Sequence, residues 1–331
     1  MIITKTPFRI SFFGGGTDFP PYFRNHPGAV VATTIDKYCY ISCRRLPQFF
    51  EHKHRIVYSK IENVTEIDQI NHPSVREVLR LRGAQEGLEI HHDGDLPARS
   101  GLGSSSSFTV GLLNALSALN GSMLTKEKLA YEAIHVEQNL ISEHVGSQDQ
   151  VSAAYGGFNR IDFHRDDTFT VEPLIFPKGR KELLHSHLML FFTGISRFSS
   201  DVAQTQVRNI KSKEVELGRM YEMVQEGINI LQDSKCSIES IGRLLNDAWM
   251  LKRSLSDKVS TSYIDGLYEV AMRAGAIGGK ILGAGGGGFL LLFASPEKHG
   301  LIRAELSKLI HVPFQFESSG SRVVLYEPDG F

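Results

Sequence analysis

Segments 8–13, 29–43 and 55–59 are dense in Val, Ile, Thr, Tyr and Phe between turn residues, and each predicts a strand. The period then lengthens. Apolar positions three and four apart predict helices over 74–82, 105–120 and 126–142, with a strand at 88–92 between the first two. In the second of these helices Phe108, Val110, Leu112, Leu113, Leu116 and Leu119 carry the repeat. Short strands return over 156–176, most clearly at 157–163, and Pro177-Lys178-Gly179 reads as the boundary between two domains, 1–178 and 179–331. Beyond it, 188–192 is an apolar run of buried-strand length. Leu217, Met220, Val224, Ile228 and Leu231 define one amphipathic helix, and Ile238, Ile241, Leu245, Ala248, Leu251 and Leu255 another. A hairpin-like pair, 280–282 and 289–293, precedes a helix near 297–310 and a last strand at 322–326. Strand, helices, two strands, helix, strand is the order of a split βαβ layer, and both halves read as α+β.

Composition narrows the partners. The 331 residues are 41% hydrophobic and 22% charged with a formal net charge of −1, so nothing draws the chain to nucleic acid or an acidic membrane. Three cysteines, Cys39, Cys43 and Cys236, fit a reducing compartment and supply no zinc set. No leader-like apolar segment opens the sequence and no apolar run reaches membrane length, so the expected location is cytoplasmic. The histidines at 52, 54, 91, 92, 185 and 187 lack accompanying carboxylates or thiols and read as ordinary side chains. Trp249, on an amphipathic helix, reads as core or interface.

Three glycine-rich segments carry the candidate chemistry. Pro97-Ala98-Arg99-Ser100-Gly101-Leu102-Gly103-Ser104-Ser105-Ser106-Ser107 places small, donor-rich backbone where a helix begins, an arrangement suited to holding phosphate. Pro7 to Asp18 runs from a strand bearing Arg9 into the permissive loop Gly14-Gly15-Gly16-Thr17-Asp18. Gly283-Ala284-Gly285-Gly286-Gly287-Gly288 satisfies G-x-G-x-x-G, but leads into the apolar strand 289–293 instead of a helix, which argues against a dinucleotide fold. No Walker A pattern is present.

Taken in order, these segments resemble the signatures of the GHMP kinases. The central motif Pro-x3-Gly-Leu-Gly-Ser-Ser-Ser/Ala is met by residues 97–106, and the C-terminal Lys-x2-Gly-Ala-Gly-x-Gly-Gly by 280–288. The resemblance implies a two-domain α+β architecture, with a ribosomal-protein-S5-like N-terminal half and a ferredoxin-like C-terminal half, and ATP and acceptor in the cleft between them. It implies ATP phosphates on Ser100, Gly101, Leu102, Gly103, Ser104, Ser105 and Ser106, and acceptor contacts from Gly15, Gly16, Thr17, Asp18, Gly283, Ala284 and Gly285. Arg9 and Asp18 keep the spacing of the galactokinase pattern, in which the arginine lies beside the transferred phosphoryl group and the aspartate grips sugar hydroxyls. That pattern's Glu-His is Gly15-Gly16 here, which speaks against galactose and for a bulkier sugar.

Gly146-Ser147-Gln148-Asp149-Gln150 is similar to the Met-Asp-Gln of sugar-type members and makes Asp149 the expected catalytic base, with Arg9 as its catalytic partner. Glu137, at the family's spacing before it, is the expected Mg2+ ligand together with a hydroxyl from Ser104 or Ser105. The wording of all three segments resembles the D-glycero-D-manno-heptose 7-phosphate kinases. This implies phosphorylation of the anomeric hydroxyl to the 1,7-bisphosphate, on the route to nucleotide-activated heptose for surface polysaccharide. Such an acceptor needs a second anion site, for which Arg197 is the candidate and Arg24 and Lys37 weaker ones. Fucose or another hexose as acceptor, and a catalytically silent sugar sensor, are the competing readings. A homodimer is left open.

Overall fold

The computed structural model describes residues 1–98, 101–195 and 199–328. The first half runs β1 (Ile2–Phe13), α1 (Pro20–Phe23), β2 (Gly28–Arg45), β3 (His54–Val57), β4 (Ile61–Val64), α2 (Pro73–Leu81), β5 (Leu88–Gly94), α3 (Ser104–Leu119), α4 (Lys126–Ile134), α5 (Gln148–Tyr155), β6 (Phe158–Phe163) and β7 (Phe169–Pro173). The second runs α6 (Arg180–Ser186), β8 (Leu188–Phe192), α7 (Ser199–Asn209), α8 (Glu214–Gln232), α9 (Glu239–Ser254), α10 (Ser262–Arg273), β9 (Ala276–Ile281), β10 (Phe289–Ala294), α11 (His299–Glu305), β11 (Ile310–His311), β12 (Phe316–Glu317) and β13 (Arg322–Tyr326). The predicted elements are present with most ends displaced by a few residues, except that the helix over 126–142 stops at Ile134 and that near 297–310 is reduced to His299–Glu305.

Among the described residues, nine strands form one sheet along the path β13-β1-β2-β5-β3-β4, with β6 and β12 also on the long β2 and β7 on β6. Four form the other, in the order β11-β8-β10-β9 and antiparallel throughout. With α7 to α10 inserted after β8, this smaller sheet has the ferredoxin-like order. Its fourth strand is β11, however, and not the 322–326 segment assigned to it from sequence. That segment, β13, crosses back and pairs with β1 from Ile2↔Tyr326 to Lys5↔Arg322. Pattern settles which residues are extended, but a strand's neighbour depends on where the chain returns in space.

Helix α3 is buried almost all round, only Ser104, Ser105 and Asn114 escaping the interior. It lies unusually close to β1 and β2 because of Gly111, where a methyl group would come within 2.9 Å of the Thr6 hydroxyl and 3.2 Å of Ile41. Thr4 donates to Gly111 O (2.9 Å) and Ser107 to Pro7 O (2.9 Å), so the polar atoms at this contact are satisfied. In the other half, α8 and α9 bury the predicted stripes, and Trp249 is wholly enclosed in the core with Tyr268.

The predicted helix 126–142 is broken. After Ile134 the backbone widens into a π turn, His135–Leu140, a device common where a functional side chain must be redirected. It carries Glu137 into the interior, 0% exposed.

Candidate active site

Strand β1 reaches the site through two register shifts against β2, at Pro7/Phe8 and Ser11/Phe13. Proline has no N–H to give the ladder, and such irregularities re-aim neighbouring side chains. Arg9 lies between them. Its amide donates to Leu102 O (3.0 Å), tying the strand to the glycine turn. Its guanidinium donates from Nε and Nη2 to the two oxygens of Asp149 (2.7 and 2.8 Å) and from Nη1 to Gly101 O (2.7 Å). The Arg9 side chain is 4% exposed and that of Asp149 25%, so the pair is anchored from behind and open at the carboxylate.

The glycine turn enters α3 through Gly103, which holds φ +76 and has no side chain with which to cap the helix. The amino end of α3 thus keeps the positive end of its dipole uncapped by Gly103, the arrangement that favours an anion. A methyl group on Gly103 would lie 3.4 Å from both Asp149 Oδ2 and Arg9 Cγ. The expected base thus sits directly against the expected phosphate turn. Gly101 does a different job: a Cβ there would strike Leu282 O at 2.4 Å, and one on Gly283 would strike Gly101 Cα at 2.5 Å. The 97–107 turn and the 283–288 turn pack backbone to backbone. Gly285 approaches Val259 O in the same way (2.6 Å), and Ala284 O accepts from Gln206 (2.7 Å).

The 14–18 loop is more structural than its sequence suggests. The Thr17 hydroxyl is fully buried, bridging Gly14 O (2.8 Å) and Ala29 O (2.9 Å). Asp18 is 1% exposed; its carboxylate accepts from the amides of Gly16 (2.9 Å) and Gln148 (3.4 Å), clasping this loop to the segment that bears Asp149. Burial raises the Asp18 carboxyl above its ordinary range against the pull of the Gly16 amide, and the charge of Asp149 adds to the rise. Both Asp18 oxygens are thus engaged by backbone amides in this structure. Gly15 remains partly open, the place of its missing Cβ lying 3.7 Å from Ser11 Oγ and from Gln148 Nε2.

Glu137 lies behind the phosphate turn. Its Oε2 accepts from Ser106 (2.8 Å) and Gln150 (2.5 Å), whereas Oε1 is buried without a hydrogen-bond partner among the described residues. Burial pushes its carboxyl up to about 7, opposed by the nearby hydroxyls of Thr109 and Ser106; Thr109 donates its own hydrogen bond to Ser105 O (3.2 Å). The serine in contact with Glu137 is thus Ser106, the third of the run, since that position of the first turn faces the π turn. Ser105 points to solvent. A buried, unpartnered carboxylate oxygen beside a serine hydroxyl is the hard-oxygen donor set that suits Mg2+. Ser100 and Arg197, expected at the phosphate and acceptor sites, lie outside the described residues. Of the weaker anion candidates, Arg24 is paired with Asp167 (2.7 Å) and Lys37 with Asp36 (3.1 Å).

Two further cations come from the second half. Lys280 is buried and donates to Phe12 O (3.0 Å), and Lys252 is buried and donates to Ile281 O (3.4 Å) and Gly283 O. Burial pulls Lys280 well below the ordinary lysine range and Lys252 down to about 8, with the Arg9 charge lowering both and Asp18 opposing. The signal for Lys252 is legible in the sequence: it continues the buried stripe of Leu245, Ala248 and Trp249, where a charge is out of place.

The family model described as GHMP kinases N terminal domain matches residues 72–157, and that described as GHMP kinases C terminal matches 234–311. The chain is 28% identical over 316 residues to the D-glycero-alpha-D-manno-heptose 7-phosphate kinase of Campylobacter jejuni, covering 92% of each. It is 28% identical over 332 residues to a galactokinase of Pyrococcus furiosus, covering 90% of each. Among solved structures, a D-glycero-D-manno-heptose 1-phosphate kinase from Bacteroides thetaiotaomicron superposes with a TM-score of 0.72 at 24% identity, over 98% of this chain and 99% of that one. No helix among the described residues is long and apolar enough to cross a membrane. With both domain models matched in order, a neighbour of the same fold along its whole length, and the three glycine segments gathered at one site, the chain belongs to the GHMP kinase family and is an ATP-dependent kinase.

Proposed function

We propose that this kinase transfers the terminal phosphoryl group of ATP to the anomeric hydroxyl of D-glycero-D-manno-heptose 7-phosphate, giving the 1,7-bisphosphate used for nucleotide-activated heptose. The observation that carries the reading is the Arg9–Asp149 pair set 3.4 Å from the Gly103 position, at the amino end of α3. ATP phosphates seat on the amides of Gly101 to Ser106, and Asp149 accepts the proton of the attacking hydroxyl. Arg9 turns its guanidinium toward the charge gathering on the moving phosphoryl group. Glu137 and Ser106 are the residues that would hold Mg2+. When bound, the ion screens the charge of the polyphosphate.

The heptose acceptor is supported by the relative from Campylobacter and by Gly15-Gly16 standing where the galactokinase pattern carries Glu-His: Gly15 stays partly open, whereas Gly16 is packed, with a Cβ there meeting Leu217 at 3.1 Å. The three free thiols and the use of ATP suit a cytoplasmic enzyme. ADP release with heptose 7-phosphate, dephosphorylated heptose, fucose and galactose tests the proposal. Heptose 7-phosphate is expected to give kcat/KM at least about tenfold above every other acceptor, the margin that loss of one charged contact produces. Faster turnover of fucose would replace the acceptor, and sugar binding with no ADP release from any of them would overturn the kinase reading in favour of a sensor.

A further inference from the structure

Lys252 has no place in the transfer chemistry above, yet its position is costly. A buried ammonium is disfavoured unless paired, and among the described residues no carboxylate lies within ion-pair distance of it. An apolar side chain of similar length would fill the same space on α9 without that penalty. Its ammonium donates instead to the carbonyls of Ile281 and Gly283. From there a continuous set of contacts leads to the reacting groups. Gly283 packs on Gly101 so closely that neither position has room for a Cβ. Gly101 O accepts from Arg9 Nη1 (2.7 Å), and Arg9 holds both oxygens of Asp149. The charged groups facing Lys252 are Arg9, Asp18, Asp149 and, from β9, Lys280.

We propose that Lys252 is a positioning residue of the transfer site: its ammonium holds the third glycine turn against the phosphate turn and so fixes the orientation of Arg9 and Asp149. The two halves of the chain are thereby coupled, α9 of the C-terminal half setting the geometry of a pair carried by β1 and α5. Loss of the ammonium lets the Gly283 turn relax, Gly101 O shifts from Nη1, and the fork on Asp149 loosens. Because burial brings Lys252 down to about 8, its proton is lost at mildly alkaline pH, and the coupling weakens there.

The kinetic part of the test rests on the kinase reading; a structural part does not. Lys252→Met is expected to lower kcat by about 100-fold, the scale of a small misplacement of reacting groups, with KM for ATP and sugar moved less than about threefold. Lys252→Arg is expected to recover at least about a tenth of the wild-type rate, because it restores a permanent charge and its donors. The wild-type rate is expected to fall as pH rises through about 8, and Lys252→Arg to lose that fall. An unchanged kcat in Lys252→Met, or an alkaline fall that persists in Lys252→Arg, overturns the proposal. If Lys252→Met fails to fold, Lys252→Arg and the wild-type pH profile decide alone. Should wild type turn over no sugar, the kinase reading fails by itself. A crystal structure of Lys252→Met, or of Lys252→Arg if the former does not fold, then decides the positioning role. Displacement of Gly101 O from Arg9 in Lys252→Met, or its retention in Lys252→Arg where a guanidinium replaces the ammonium, supports the role; an unaltered Arg9–Asp149 fork in Lys252→Met, or a disrupted one in Lys252→Arg, refutes it.

Discussion

Replacing Asp149 separates catalysis from stability in a way the geometry quantifies. In the wild type, the Arg9 guanidinium makes three hydrogen bonds, two of them charge-assisted to Asp149, and the side chain is 4% exposed. Asp149→Ala leaves that guanidinium with Gly101 O alone, and removing one partner of a buried pair typically costs about 3–5 kcal/mol. Two features reduce the figure here. The Asp149 side chain is 25% exposed, so water enters the vacated space, and Asp18 is relieved of a neighbouring like charge. A loss of about 2–4 kcal/mol follows, lowering Tm by roughly 3–6 °C in a chain of this size. Asp149→Asn retains the shape and one acceptor and should lose only about 1–2 kcal/mol. Turnover separates from this: without the base, kcat falls by about 10²–10⁴ in either variant, while ATP affinity, held by α3, changes little. Arg9→Met combined with Asp149→Ala should recover most of the stability and none of the activity. Urea unfolding, ADP release and nucleotide titration on the four proteins measure these quantities. The reasoning fails if Asp149→Asn keeps more than a tenth of the wild-type rate, or if the double variant is less stable than Asp149→Ala.

Gly101→Ala places a methyl group 2.4 Å from Leu282 O at φ +83, and is expected to cost about 2–5 kcal/mol and to weaken ATP binding as the two glycine turns part. Denaturation and nucleotide titration check it, and stability within about 0.5 kcal/mol of wild type would contradict the close packing. Glu137 carries a folded-state value of about 7 against an ordinary 4.5, so the folded chain holds its proton more tightly than the unfolded one. Wild-type stability should therefore fall as pH rises between these values and level off above, by at most about 3 kcal/mol. Glu137→Gln should abolish that slope in EDTA while losing Mg2+-dependent turnover; parallel pH profiles for the two proteins would refute the assignment.

The site divides by how each residue is recorded in the chain. Backbone chemistry is written locally: a glycine needed at φ +76 or +83, and a serine-rich turn opening an apolar helix, are visible wherever they occur. Arg9 and Asp149 are legible because each lies at a fixed offset from such a turn, in a pattern resembling a known family. The serine that meets Glu137 lies one or two positions beyond those expected, because which hydroxyl of a first helical turn faces a neighbour depends on helix phase and on a π turn that spacing does not reveal.

The sequence by itself determined most of the elements and their order, though neither α7 nor α10, together with the two α+β halves and the three glycine turns, because periodicity and steric permission act over a few residues. Tertiary structure alone decided that β13 closes the first sheet and that Asp18 and Thr17 turn inward as clasps. It also decided that Lys252 and Lys280 reach the transfer site from the opposite half. Those outcomes depend on which surfaces meet when distant segments pack, and a charge buried by that meeting leaves only an out-of-place residue on an apolar stripe as its trace.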